Sequence, residues 1–90
     1  MSYFAIPLEA VPNQTLVIDL GGKTWTVTVE TRLENLYLSL SNGTDGVVIL
    51  NRICRDRDII ADNFFFYDQD GIENPSFDGL GRRYVLVWST

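Results

Sequence analysis

Ninety residues, 46% of them apolar and 21% charged, suffice for one small hydrophobic core and are too few for two, so residues 1–90 are expected to form a single domain. Twelve acidic residues against seven basic ones give a net charge of −5, which sets the field of the chain against phosphate backbones and anionic lipid. Neither nucleic acid nor a membrane is expected as a partner, and the apolar runs fall far short of the roughly 20 residues a spanning helix needs.

Tyr3 to Leu8 is short and apolar, and Pro7 removes a backbone donor, which suits an edge strand or a strand end. Met1 to Phe4 has neither the basic start nor the apolar core of a secretory signal, so mature protein is expected from the first residue. Pro12 then sets the direction of the chain into a β-hairpin folded about Gly21-Gly22, because two glycines between alternating apolar runs favour a primed two-residue turn. The register follows. Leu20 faces Lys23, Ile18 faces Trp25 and Leu16 faces Val27 on an apolar side, while Asp19 faces Thr24 and Thr15 faces Thr28 on a polar one.

Thr31 to Glu34 reads as a connection, and Asn35 to Ser41 alternates with Leu36, Leu38 and Leu40 on one face, as a half-buried strand does. Asn42 to Gly46 has the chemistry of a turn. A five-residue loop there would set Leu40 opposite Val48 and Leu38 opposite Leu50. Arg52 to Asp62 shows neither strict alternation nor a helical stripe, and a loop with a short turn of helix is expected. Phe64 to Tyr67 is a continuous aromatic run, which points to a strand covered on both faces by its own chain or on one of them by a partner subunit. Asp68 to Arg82 is a long connection rich in Gly, Asp, Asn and Pro. Tyr84 to Trp88 closes the chain as a strand, apolar on both sides and so expected to be covered twice. The fold class is all-β, a small antiparallel β-barrel or β-sandwich of about six or seven strands.

Chemistry is sparse. With no histidine and with Cys54 alone, Ser-His and Cys-His nucleophile pairs, cysteine-rich metal sites and an internal disulfide are all impossible. Cys54 is read as a small core hydrophobe. Asp68 to Asn74 resembles the start of a calcium loop, but Glu73 stands at the sixth position where an EF-hand needs glycine, and Gly79 at the twelfth where it needs glutamate. A solvated acidic turn is the better reading. Arg82, Arg83, Tyr84 and Trp88 interleave bases with aromatics as single-strand binders do, yet nearby Asp68, Asp70 and Asp78 make ion pairing the simpler role. Gly79-Leu80-Gly81 leads into a strand and not a helix, so it is a tight turn, not a phosphate loop. No catalytic, cofactor-binding or metal-binding residue is assigned, and no enzyme is expected. Trp25, Trp88 and the tyrosines allow one alternative, a carbohydrate-binding β-sandwich with stacking platforms.

The landmarks, taken together, carry a resemblance. Ile6-Pro7-Leu8, Pro12, Gln14 and Leu20-Gly21-Gly22 with Trp25 three positions on are followed by the leucine alternation 36 to 40, the aromatic strand ending at Asp68, and Gly81-Arg82 leading into Tyr84-Val85-Leu86. In order and spacing the chain resembles the baseplate plug proteins of contractile-tailed phages, small all-β virion proteins of about this length. Arg52 to Arg57 is more charged than that pattern. The resemblance implies a non-enzymatic structural subunit, without cofactor, that is made in the host cytoplasm and carried in the tail baseplate. It would fill or brace the centre where the tail tube meets the hub. The implied partners are hub and tail tube proteins, with self-association as a further option. The hairpin would be scaffold, and contacts would fall on the loop from Asp68 to Arg82, the stretch from Arg52 to Asp58 and the open sheet edges.

Overall fold

Alternation and turn chemistry resolve into eight strands in the computed structural model, which describes residues 3–33, 35–61 and 64–89. They are β1 (Tyr3–Ile6), β2 (Gln14–Leu20), β3 (Lys23–Arg32), β4 (Asn35–Asn42), β5 (Gly46–Ile53), β6 (Ile59–Ala61), β7 (Phe64–Asp68) and β8 (Tyr84–Ser89), with one 3-10 turn at Phe77–Gly79. All neighbouring strands are antiparallel. They form two four-stranded sheets, a meander in the order β2-β3-β4-β5 and a second sheet in the order β1-β8-β7-β6, called here the terminal sheet. The sheets stay open at their edges, so the barrel and the count of six or seven strands are both corrected: this is an eight-stranded sandwich. The additional strand is β6, which lies in the charged region and has no periodic signal.

The hairpin register matches the expected one at every position, from Gln14 opposite Val29 to Leu20 opposite Lys23. Gly21 and Gly22 both take positive φ, 58° and 80°, as a type I′ turn requires. Tyr3–Ile6 is an edge strand, as Pro7 suggested, and pairs only with β8.

Between β4 and β5 the register begins as expected, with Asn42 opposite Gly46 and Ser41 opposite Val47, and then slips twice. Leu40 faces Ile49, not Val48, and Leu38 faces Arg52, not Leu50. The cause is the unbroken apolar run Val47 to Leu50, which cannot alternate. Each bulge adds one residue to β5, so that Val48 and Ile49 both pack on the core while Leu50 turns out, 68% exposed. Asn42 closes the loop, its buried Oδ1 accepting the Thr44 and Asp45 N–H groups at 2.9 and 2.7 Å.

Arg52 to Ala61 contains no helical turn. Its backbone is claimed by neighbouring strands: the Cys54 N–H donates to the Leu36 carbonyl, Asp56 bridges to Phe66, and Ile59–Ala61 pairs with β7. Asp62, the last residue of that expected loop, lies outside the described residues.

The inward faces of the two sheets meet over Trp25, Val27, Val29, Leu36, Leu38 and Leu40 from the meander and Phe64, Phe66 and Leu86 from the terminal sheet, all at most 1% exposed. Each such side chain contributes about 1.5–3 kcal/mol of transfer free energy. The Trp25 and Phe64 rings join the two layers edge to face, centroids 5.0 Å apart. Cys54 is buried in this core as a small hydrophobe, its thiol pushed up to about 12 by desolvation.

Candidate docking face and the Asp68 network

Strand alternation that sends Phe64, Phe66 and Leu86 inward sends Phe65, Tyr67, Val85 and Val87 outward on the terminal sheet. β8 was expected to be covered twice, and β7 to be covered on both faces or by a partner subunit; within the chain each is covered on one face. Phe65, Val85 and Val87 are half-buried by their neighbours only, and Tyr67 is exposed. The outer face thus carries almost as much apolar surface as the core face. Tyr3 from β1 sets its ring edge against Phe65 across β8, centroids 6.3 Å apart at 90°. Ile59 from β6 adds an aliphatic side chain that is 64% exposed. Together with Val87 they line a groove of about 650 Å3.

Arg57 also lines that groove. Its backbone sits in the left-handed region at φ 62°, held there by its N–H donating to the Phe66 carbonyl at 2.8 Å. The guanidinium lies over the Tyr67 ring, 4.6 Å from the centroid, and its Nη1 donates to Asp56 Oδ2 at 2.9 Å. The Asp56 side chain is only 6% exposed and that of Arg57 is 45% exposed, so the pair shows its cation to solvent. The opposite outer face, on the meander, is rich in hydroxyls, with Thr24, Thr26 and Thr28 on β3 beside Ser39 and Ser41 on β4, and the exposed Val17 and Val47 stand at its two edge strands.

At the far end of β7, Asp68 organises the long connection. Its carboxylate is buried and accepts two parallel hydrogen bonds from Arg83, Nε to Oδ1 and Nη2 to Oδ2, each 2.9 Å. The backbone N–H groups of Asp70 and Glu73 donate to the same carboxylate, also at 2.9 Å. The Arg83 bonds, and then these two amides, hold its pKa well below the ordinary carboxylate range although burial pulls the other way. The Asp68 N–H donates to Asp56 Oδ1 at 2.8 Å, and the Asp56 N–H to Asn74 Oδ1 at 3.1 Å, which ties the connection to the charged stretch.

The residues singled out in the sequence therefore have assigned places. Asp68, the first residue of the calcium-like loop, is committed to Arg83, and no group of three or more Cys, Asp or Glu residues among the described residues is arranged to hold a metal. Arg83 is an ion-pair partner, as expected, whereas Arg82 donates to the backbone carbonyl of Asp78. Trp25 is 1% exposed and offers no stacking platform, which removes the main support for carbohydrate binding. Trp88 is half-buried, its ring beside Gly21. What sequence reasoning passed over is the groove: the outward residues Phe65, Tyr67, Val85 and Val87 were visible as one alternate set, but Ile59 and Arg57 join them only through pairing with β7.

The fold defines a small antiparallel β-sandwich with one outer face apolar and the other hydroxylated. The chain belongs to the family described as cyanophage baseplate Pam3 plug gp18, whose model matches residues 3–90. It is a family of structural components of a phage baseplate, located in the tail of the virion and associated with other baseplate components. This is the kind of family that the ordered landmarks from Ile6 to Leu86 resemble. A comparison with curated proteins returned no match.

Proposed function

We propose that this chain is the plug of a contractile tail, a single-domain subunit that fills or braces the centre of the baseplate where the tail tube meets the hub. It acts by protein contacts, performs no reaction and carries no cofactor. It is made in the host cytoplasm and remains in the virion. The observation that supports this most is the family match across residues 3–90. The apolar outer face of the terminal sheet agrees with it, since a contiguous apolar patch on a small soluble protein is typical of an interaction surface.

A cryo-EM map of the intact tail tests the proposal. Density for the sandwich is expected at the end of the tube, against hub and tube proteins. A tail in which the chain sits at the periphery, or from which it is missing, would overturn it.

A further inference from the structure

We propose that the groove on the outer face of the terminal sheet seats an extended segment of another baseplate protein. That segment lays apolar side chains on Ile59, Phe65 and Val87 and brings a carboxylate to Arg57. The inference rests on the structural role given above and adds the face, the residues and the chemistry of the partner.

Size and charge select the occupant. A stable interface between two folded surfaces engages roughly 20–30 residues a side, while seven of the described residues line this groove. It fits one segment, not a whole neighbouring face. Among the described residues its lining is mostly apolar, and the one charged residue there is Arg57, a cation on a chain of net charge −5. Arg57 already uses Nη1 on Asp56, yet a guanidinium has five N–H donors, and 45% of this side chain is exposed while its carboxylate partner lies beneath. Arg57 also hydrogen-bonds the side chain of Tyr67, a fellow lining residue, and the donors still left over suit a carboxylate. A two-fold contact with a second copy would set this same face against itself. Among the described residues lining it there is no carboxylate to meet the second Arg57.

The backbone at Arg57 supports the assignment independently. A residue with a Cβ is held at φ 62° at some conformational cost, and what accompanies that geometry is a cation over the Tyr67 ring within the groove lining.

Labelling of the free protein and of assembled tails tests the groove. Cys54 is buried and inert, so Ile59→Cys provides the one thiol a biotin-maleimide reaches. The free variant is expected to label fully, and the same variant in purified tails at least tenfold more slowly. Equal labelling overturns the groove as a docking site and leaves the place in the baseplate standing, whereas wild-type tails without the chain overturn both. Arg57→Lys tails treated with a water-soluble carbodiimide then identify the occupant. An amide from Lys to Asp or Glu of a different baseplate protein supports the proposal. Linkage only within the chain or to a second copy overturns it. Arg57→Asn keeps the left-handed backbone but leaves Asp56 without its ion-pair partner, so it should melt lower yet remain folded by circular dichroism while incorporation into tails drops at least tenfold, and undiminished incorporation would overturn the role of the cation.

Discussion

At Gly21 and Gly22 the backbone takes φ of 58° and 80°, but the two positions differ in what surrounds them. A Cβ on Gly21 would lie 3.0 Å from the Trp88 ring, while one on Gly22 would meet nothing within 4 Å. Gly22 therefore isolates backbone strain from crowding. Gly22→Val is expected to lose about 1–2 kcal/mol in urea denaturation and Gly22→Asn only a few tenths; an undiminished Val variant would contradict the turn assignment. Leu33 meets the same demand with the wrong residue. It sits at φ 49° and 94% exposed, at the turn bounded by Arg32 opposite Asn35. Leu33→Asn removes strain and no packing, so a gain of about 0.5–1 kcal/mol is expected from the same measurement, and a loss would show that the leucine is held by contacts. The contrast also explains what could be read beforehand. Glycine pairs announce positive φ, whereas Thr31 to Leu33 has nothing in its composition that marks a tight turn.

Elements built on local alternation, β2 to β4, were legible to the residue, because each residue's face follows from its neighbours two positions away. Those that depend on distant strands were not. β6 exists because the edge of β7 is available to it, and Phe64–Tyr67 looked doubly covered because its outward residues are as apolar as its inward ones. Sequence composition does not say whether such a face is covered by the same chain or by another. The junction of the two loops at Gly81 is equally silent in sequence and can be tested. Gly81 takes φ 78°, and a Cβ there would lie 2.5 Å from the Leu8 carbonyl oxygen. Gly81→Ala must move the segment after β1 away from the turn before β8, at a cost on the order of 3 kcal/mol. A melting temperature equal to that of the wild type would exclude this close approach.

On the scale of the whole molecule, acid stability is set in part by Asp68, which the sequence offered as one of three acids for Arg82 and Arg83 without showing that it is the buried one. Its partner, Arg83, lies fifteen positions on and meets it only when β7 pairs with β8. The folded carboxyl titrates below the unfolded value of about 3.9, so its contribution is complete above that value and is lost as pH falls through the folded one. Wild-type melting temperature is expected to decline as pH drops below about 5. Asp68→Asn should melt lower at pH 7, with the gap narrowing towards pH 2. A gap that stays constant over that range would remove the ion pair as its cause.

The pairing of β1 with β8 has a consequence in time. The meander joins strands that follow one another in the chain, so its ladders can form as residues 14–53 are synthesised. Tyr3 to Ile6 must wait, because its ladder consists of Leu86 to Ser89. Such long-range closure is the slow part of β-sheet folding. Tyr3 and Val87, which form two walls of the groove, come together only at that last step. A chain interrupted before β8 never displays the docking face, so a phage that recruits this subunit through the groove would select finished molecules without a separate inspection step.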